Sequence, residues 1–269
     1  MEPFNVLCTT RFGRMLVNKN DVFIGESLRR YGEYSWGEVE LFERLLRAGN
    51  TVVEAGANIG AHTVPLARIV GPQGTVHAFE PQRLVFQTLC ANLALNQCTN
   101  AHARQAALGA SATEMDLPPI DSRQRNNFGG VSLVGAAGGE RVPMTTLDDL
   151  KLQRCDMLKA DVEGMEAEVL KGSNETIVRF RPFIYAENDR KERSPALIEL
   201  LLKMNYRLWW HAVPLFNPNN LNGESQNMFG GVVSLNMLCV PRERPSPVAG
   251  LAEVSGPQDW WFGKYNDNP

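Results

Sequence analysis

One stretch near the start of the chain, residues 51–63, constrains the fold more than any other. It reads TVVEAGANIGAHT, in which an apolar, β-branched run is followed by Glu54, by two glycines four positions apart, and by residues that can open a helix. A buried strand, a glycine turn and a helix together form the unit that binds nucleotide-like ligands at the edge of an α/β sheet. Such a turn brings bare backbone close to a ligand, and the first N–H groups of the helix attract an anionic group.

The spacing within this turn argues against a dinucleotide ligand. A dinucleotide fingerprint has three glycines spaced G-x-G-x-x-G, whereas here Asn58 takes the middle place and Ala61 the third. An acidic residue ahead of the first glycine favours a ligand that carries an ammonium and a carboxylate, such as S-adenosylmethionine. A second predicted strand, over residues 75–79, is followed by Glu80, and a carboxylate at that place binds a ribose diol.

Four motifs, EAGANIG, HAFEPQ, LDDL and KADVEGMEAEVLKG, follow one another along residues 32–187. In this order and spacing they resemble the FkbM family of S-adenosylmethionine-dependent methyltransferases. Glu54 stands where the family usually has Asp, and Met165 where it usually has Ala. The resemblance implies an α/β, Rossmann-like class I methyltransferase fold. Its seven-stranded sheet would have the order 3-2-1-4-5-7-6 with the last strand antiparallel, behind an N-terminal hairpin and helix.

Positions at predicted strand ends, together with the resemblance, assign residues to the cofactor S-adenosylmethionine. The expected set is Glu54, Gly56, Asn58, Gly60, His62, Thr63, Glu80, Pro81 and Asp161. A carboxylate at a strand end can also merely cap the following helix. However, Glu54, Glu80, Asp161 and Glu187 each end a predicted strand, and the carboxyl ends of parallel strands share one edge of a sheet. Lys159 alternates with Asp161 on its strand, and an ion pair between them is the simplest expectation.

Methyl transfer to a hydroxyl requires a group that takes up the proton, since the sulfonium is already a good leaving group. His211, at the end of a predicted strand over residues 206–212, is the candidate base. Asp161 is the second catalytic candidate, expected nearest the transferred methyl. The alternative for His211 is packing against the tryptophans at 209–210, in which case Asp161 or Glu187 takes the role of base.

The methyl acceptor is expected to be a glycan or a small molecule such as a secondary metabolite, methylated on a hydroxyl oxygen. The candidate acceptor-binding residues are Glu163, Glu187, Asn127 and Asn217. Amide groups in the asparagine-rich insert 214–230 and aromatic faces at 260–261 suit hydroxyl groups and sugar rings, although asparagine is also common in loops. N-methylation of an amine, and a module that binds S-adenosylmethionine without turnover, are the alternatives.

No metal is expected as a cofactor, although Asp161 and Glu163 would suit a hard cation. Five widely spaced cysteines without a C-x-x-C pair are typical of reduced thiols in a cytoplasmic protein. A net charge of -3 with scattered lysines and arginines argues against a nucleic-acid partner, whereas a homo-oligomer is compatible with this composition. The chain lacks an apolar segment long enough to cross a membrane and a signal-peptide pattern at its start.

The absence of a repeat or a mid-chain linker predicts a single domain over residues 1–269. Within it we expect a hairpin and helix over 1–48, a core over 49–240 and a tail over 241–269. The hairpin is predicted to turn at 18–21, and Ser35 with Glu38 has the spacing of a capping box. Further strands are predicted over 101–108, 155–161, 182–187 and 232–240. A hairpin within a loop is predicted from short strands at 131–134 and 141–144. Helices are predicted over 81–96, 162–172 and 194–204, and Ser194 is expected to cap the last of these.

Overall fold

A computed structural model of the protein describes residues 3–130, 138–246 and 248–261. The strands are β1 Asn5–Thr10, β2 Gly13–Asn18, β3 Thr51–Ala55, β4 Thr75–Phe79, β5 Ala101–Arg104, β6 Ala107–Leu108, β7 Thr113–Leu117, β8 Glu140–Thr145, β9 Met157–Ala160, β10 Phe183–Glu187, β11 Tyr206–Pro214 and β12 Val233–Pro241. The α-helices are α1 Ile24–Tyr31, α2 Trp36–Leu45, α3 Thr63–Val70, α4 Arg83–Leu95, α5 Glu166–Lys171, α6 Asn174–Phe180 and α7 Ser194–Lys203.

Seven strands form the central sheet, in the order β11-β12-β10-β9-β3-β4-β5. The pairs from β10 to β5 are parallel, whereas β12 runs antiparallel to both β10 and β11. Numbered along the chain within this sheet, the order is 6-7-5-4-1-2-3, with only the last strand reversed. The predicted Rossmann-like fold class is therefore confirmed. The carboxyl ends of the parallel strands lie at one edge of the sheet.

Apolar layers cover both faces of the sheet. Val52, Tyr185 and Trp209 belong to the core beneath α1–α4 and the β1-β2 hairpin, whereas Ile184 and Trp210 belong to the core beneath α5–α7. Successive strand residues point to opposite faces, so strands buried on both sides carry continuous apolar runs rather than alternating ones. This explains the unbroken apolar character of the strand that leads into the glycine turn.

The N-terminal hairpin is present, but its turn lies elsewhere than predicted. Thr10 pairs with Gly13, so the chain reverses at residues 11–12 and not at 18–21. The carboxylate of Asp21 is buried and accepts the backbone N–H groups of Phe23 (3.1 Å) and Gly25 (3.0 Å). Asp21 therefore precedes helix α1 and holds its start, at the place where the hairpin was predicted to turn.

The segment predicted as one strand over 101–108 serves two sheets. It leaves the central sheet after β5, and β6 joins a separate three-stranded sheet in the order β6-β8-β7. In that sheet β8, which contains the predicted strand 141–144, pairs antiparallel with β7. The other half of the predicted hairpin, 131–134, lies outside the described residues.

Helix ends show where local signals misled. Helix α3 begins only at Thr63, so Pro65 stands in its first turn, where a missing backbone N–H is tolerated. Ser194 is the first residue of α7 rather than its cap, and its hydroxyl oxygen accepts the side chain of Asn188 (2.9 Å). Ser35 stands at the N-cap position of α2, but its hydroxyl donates to the Glu38 carboxylate (2.7 Å) and accepts no backbone N–H of the helix. Across the described ranges, every helix falls short of the length and apolar content that crossing a membrane requires.

Candidate active site

A cavity of about 350 Å³ opens at the carboxyl edge of the central sheet. The predicted site residues that line it are Glu54, Gly56, Asn58, His62, Glu80, Pro81, Asn127, Asp161, Glu163 and Glu187. The predicted residues that are not part of its lining are Gly60, Thr63, His211 and Asn217. The structure therefore brings together most of the residues that the strand-end argument selected, and the exceptions have structural explanations.

The glycines of the turn after β3 serve close packing within the chain. Gly56 has φ +83°, and a Cβ atom there would lie 1.8 Å from the carbonyl oxygen of Asp161. Gly60 has φ +88°, and its Cβ would lie 2.9 Å from a methyl group of Leu89 in α4. Both positions need glycine for conformation and for space. Of the two, Gly56 reaches the cavity, while Gly60 holds the turn against its neighbouring helix.

Glu80 is held rigidly at the end of β4. Its two carboxylate oxygens accept the backbone N–H groups of Asn58 (3.0 Å) and Gln82 (2.8 Å). Only 3% of the residue is exposed, and this burial raises the pKa of Glu80 to about 7 despite the two hydrogen bonds. Among the described residues, each oxygen retains a lone pair that can accept a further hydrogen bond. The role of this carboxylate in binding a ribose diol stays a prediction.

A buried cation links the ends of β3 and β9. Lys159 Nζ lies 3.0 Å from an Asp161 oxygen and 3.9 Å from a Glu54 oxygen, and Thr63 donates to the other Glu54 oxygen (2.6 Å). Burial raises the pKa of Glu54 to about 7, against the opposing effects of Lys159 and Thr63. Burial also opposes the charge of Lys159, but Asp161 and Glu54 raise its pKa above the ordinary value. Thr63 is therefore not part of the cavity lining, but its hydroxyl holds the Glu54 carboxylate, which is.

Three carboxylates, Asp161, Glu163 and Glu187, form what we call the acidic trio. One oxygen of each lies within 4.8 Å of the others, a spacing that a divalent cation would also accept. Arg190 already supplies a positive charge there, through an ion pair with Glu163. Burial and Asp161 raise the pKa of Glu163 to about 8, while Arg190 lowers it. Burial, Asp161 and Glu163 raise the pKa of Glu187 well above its ordinary value.

The turn that presents Asp161 and Glu163, two members of the acidic trio, is strained and specifically held. Glu163 has φ +55° and is followed by Gly164 at φ +98°, two left-handed residues in succession. The Glu166 carboxylate accepts the N–H groups of Val162 (3.0 Å) and Gly164 (3.1 Å). Sequence reasoning offered helix capping as the alternative role of the carboxylates before α5, but no side-chain hydrogen bond caps that helix among the described residues. Glu166 instead holds the turn that precedes the helix. Glu163 is thereby free to point into the cavity.

His62 lies in the cavity wall between two aromatic rings. Its ring centroid is 5.5 Å from that of Tyr34 and 5.7 Å from that of Phe42. Burial, reinforced by Lys159, lowers the pKa of His62 to about 3, so the ring is neutral at pH 7. Within the described part of the chain its Nε2 is buried without a hydrogen-bond partner. A role in binding the methionine carboxylate stays a prediction.

His211 does not stand where the base was expected. It lies on the α2 side of the sheet with Trp209, and the Tyr185 hydroxyl is 2.8 Å from its Nδ1. Burial lowers its pKa. The physical reason is the length of β11, which continues to Pro214, so that His211 is an interior strand residue paired with Asn236. The expectation that His211 shares a cavity with Asp161 was wrong.

Asn217, predicted to bind the acceptor, has a structural role. Its amide donates to Glu33 (2.7 Å), and its oxygen accepts the N–H of Asn219 (2.9 Å). Glu33 is buried and also binds Arg11, so it ties the asparagine-rich insert to the N-terminal hairpin. The tryptophans at 260–261 pack against Trp210, in the core of the opposite face. Neither sugar-binding hint is supported by these positions.

Gln82 is a lining residue that sequence reasoning missed. Its amide donates to the carbonyl oxygen of Phe128 (3.0 Å), which orients the side chain, and its Oε1 is buried with no partner among the residues described. The remaining unpredicted wall includes Phe23, Ile24 and the glycines at 129–130. The only available signal for Gln82 was its place two residues after Glu80. An unpartnered acceptor in the wall suits a ligand N–H group.

These features are those of the cofactor site of a Rossmann-like methyltransferase: a glycine turn after the first sheet strand, a buried carboxylate after the second, and carboxylates at the next two strand ends. The Methyltransferase FkbM domain model matches residues 54–208, more than half of the chain. The chain belongs to the FkbM family of methyltransferases, whose cofactor is S-adenosylmethionine.

Two curated relatives are fungal methyltransferases. Methyltransferase sdnD of Sordaria araneosa is 32% identical over 157 residues, which cover 46% of this chain and 60% of that protein. Methyltransferase 1 of Beauveria bassiana is 29% identical over 143 residues, which cover 45% of this chain and 57% of that protein. The match thus spans less than two thirds of either relative. The crystal structure of Methyltransferase FkbM from Methylobacillus flagellatus KT aligns with a TM-score of 0.47 at 16% identity, over 76% of this chain and 50% of that one.

The residues present fit S-adenosylmethionine. The cofactor carries a sulfonium and an ammonium against one carboxylate, and the cavity wall carries Glu54, Glu80 and the acidic trio. Glu80 is fixed at a place where it could accept the ribose hydroxyls, and Glu54 with Asp161 lies near the turn, where carboxylates would stabilise an ammonium. Gln82 Oε1 and His62 Nε2 leave an acceptor and a ring nitrogen free for the adenine amine and the methionine carboxylate.

Proposed function

We propose that this chain methylates a hydroxyl oxygen of a glycan or a secondary metabolite. The observation that carries the proposal is the acidic trio, in which Glu187 Oε2 is buried without a hydrogen-bond partner within the described ranges. A hydroxyl has a pKa far above 7, so it must lose its proton as the methyl group arrives. A carboxylate with a free oxygen in the wall of the cofactor cavity can take up that proton.

Glu187 is the residue of the acidic trio best suited to act as the base. Burial and the neighbouring charges of Asp161 and Glu163 raise its pKa well above the ordinary value. A general base works best when its pKa approaches the working pH, and burial is the usual way to achieve this with a carboxylate. Asp161 is already engaged by the Lys159 ammonium at 3.0 Å. Its proposed role is to hold the cofactor's ammonium group and orient the acceptor.

Bound S-adenosylmethionine would supply an electrophilic methyl group on a good leaving group. The chain itself would contribute position and charge: Glu80 holds the ribose, Glu54 and Asp161 hold the cationic end, and Glu187 accepts the proton. Positioning of this kind supplies a large share of the rate of a displacement at carbon, because the two reactants no longer need to find one another.

The test measures turnover with an isotope-labelled methyl donor and a panel of hydroxylated acceptors, with products identified by mass spectrometry. Glu187→Gln should lower kcat by roughly 10²–10⁴-fold and leave the dissociation constant of S-adenosylmethionine nearly unchanged. Glu199→Gln is the matched control, because Glu199 lies on the surface and pairs with Lys203. Wild-type kcat should also rise with pH as the base loses its proton, a rise absent from Glu187→Gln.

The same trio favours a second candidate, N-methylation of an amine. A protonated amine would be attracted by three carboxylates that share one arginine, and a free amine needs no strong base for methylation. The two candidates separate in the Glu187→Gln variant. If this variant turns over an amine acceptor at the wild-type rate, N-methylation replaces the first proposal, and equal loss on every acceptor supports O-methylation.

A further inference from the structure

The size of the active-site cavity limits what it can hold. Its volume is about 350 Å³, near the lower end of the roughly 300–1,000 Å³ that is typical of pockets for drug-sized ligands. S-adenosylmethionine, with an adenosine and an amino acid, is itself a ligand of that class. The cofactor would therefore take up most of this cavity. On the function proposed above, the body of the acceptor must lie beyond it.

A second, larger groove adjoins the cavity. It measures about 580 Å³ and lies between the β7-β8 sheet, the start of α5 and helix α7. Its apolar lining consists of Met115, Met144, Met165, Ala167, Ala196 and Leu197. Groove and cavity share Glu187, Asp189 and Arg190 as wall residues. We call this space the methionine groove, and the proposed base Glu187 stands where it meets the cavity.

The junction between the two spaces is built from side chains. Arg190 pairs with Glu163, and Arg193 donates to the carbonyl oxygen of Gly164 in the strained turn. About 31% of the Arg190 side chain is exposed. An arginine stem has several rotatable bonds, so it can move aside without disturbing a strand or a helix. The Arg190 side chain can therefore change its rotamer and widen the junction between cavity and groove. Arg193, in contrast, is hydrogen-bonded to the backbone of the turn.

We propose that the methionine groove binds the apolar body of the acceptor, and that the acceptor is a neutral amphipathic alcohol. Its hydroxyl-bearing head would reach Glu187 in the cavity, while its hydrocarbon part lies on the three methionines. Methionine side chains are unbranched and polarizable, and they adapt to irregular apolar ligands. The six carboxylates around the cavity and junction disfavour an anionic head: Glu54, Glu80, Asp161, Glu163, Glu187 and Asp189. This inference rests on the proposed function and specifies its substrate class.

The experiment uses two neutral probes on the full chain saturated with S-adenosylhomocysteine. They are n-octyl β-D-glucoside, kept below its micelle concentration, and methyl β-D-glucoside, which has the same head without the tail. The nine methionines are labelled with carbon-13 on their methyl groups and observed by NMR. Octyl glucoside should shift the signals of the three groove methionines. Met228 is the control, because it is 44% exposed and is not a wall residue of the groove.

Affinity provides the second readout. Each methylene removed from water is worth roughly fourfold in affinity, so octyl glucoside should bind at least about tenfold more tightly than methyl glucoside. Met165→Ala should weaken octyl glucoside binding by about threefold or more, and Met228→Ala should not change it. Equal affinity of the two probes, unshifted groove signals, or equal shifts at Met228 would overturn the proposal. Failure to bind S-adenosylhomocysteine at all would instead count against the proposed function.

Discussion

Lys159→Met removes the buried cation between Glu54 and Asp161 while keeping a side chain of similar length. Only 1% of the Lys159 side chain and 1% of the Glu54 side chain are exposed, so both charges are shielded from water. Removing one partner of a buried ion pair costs about 3–5 kcal/mol, because the other charge is left uncompensated. Asp161 is 32% exposed and can be solvated, so most of the expected loss of stability comes from Glu54.

The loss of stability in Lys159→Met should depend on pH, and the titration of Glu54 decides whether it grows or shrinks as the pH rises. The pKa of this carboxyl is raised from 4.5 to about 7 in the folded protein, and Lys159 holds it down. A raised folded-state pKa means that stability is fully present below the unfolded pKa and is lost as pH rises through the folded one. Without Lys159 the pKa of Glu54 rises further. The deficit of the variant should therefore grow above pH 7, by up to about 1.4 kcal/mol per pH unit.

Urea unfolding of wild type, Lys159→Met and the double variant Lys159→Met/Glu54→Gln, at about pH 6 and about pH 9, measures both effects. The double variant should recover part of the stability at the higher pH, since it carries no buried charge at position 54. Lys171→Met is the matched control: Lys171 is 52% exposed and pairs with Glu168, so a change of about 0–1 kcal/mol is expected. A loss of stability in Lys159→Met equal to that of the control, or independent of pH, would show that Lys159 does not compensate a buried charge on Glu54.

Three further predictions concern the cofactor and the discarded base. Glu80→Gln should raise the dissociation constant of S-adenosylmethionine about 10- to 100-fold in calorimetry, because the ribose hydroxyls lose a charged acceptor; an unchanged constant would show that Glu80 faces elsewhere. His211→Ala should leave turnover within about twofold of wild type and lower stability by about 0.5–1.5 kcal/mol, through the lost contact with the Tyr185 hydroxyl; a large fall in kcat would restore His211 as a candidate base. Gln82→Met should weaken cofactor binding by roughly 2- to 13-fold if its free oxygen accepts a ligand N–H group, and equal affinity would contradict this.

Much of the cofactor site could be predicted from sequence because its parts are local. Glu54, Glu80 and Asp161 each follow a short apolar run, and parallel strands deliver the residues after such runs to one edge of the sheet. The positive φ of Gly56 and Gly60 is likewise a property of the turn itself. These features depend on a few neighbouring residues, so they can be predicted from a short stretch of sequence.

Two predicted site residues, His211 and Asn217, depend on contacts between distant parts of the chain, and for these two sequence reasoning failed. His211 was predicted at a strand end, yet pairing with β12 extends β11 to Pro214 and leaves His211 inside the strand. Asn217 was predicted to face a ligand, yet it bonds Glu33 across 184 positions of sequence. A polar side chain in a loop is satisfied by whichever partner folding brings to it.

The class of fold, the family and the cofactor could be read from the order of amino acids, because strand, turn and helix signals and the residues between them act over short distances. The folded chain was needed to show that Glu187 has a carboxylate oxygen without a partner among the described residues, that Arg190 pairs with Glu163, and that a groove of three methionines adjoins them. These methionines come from β7, β8 and the start of α5, separate elements that meet only after the sheets have formed. A binding surface built from such distant segments has no signature in the order of the chain.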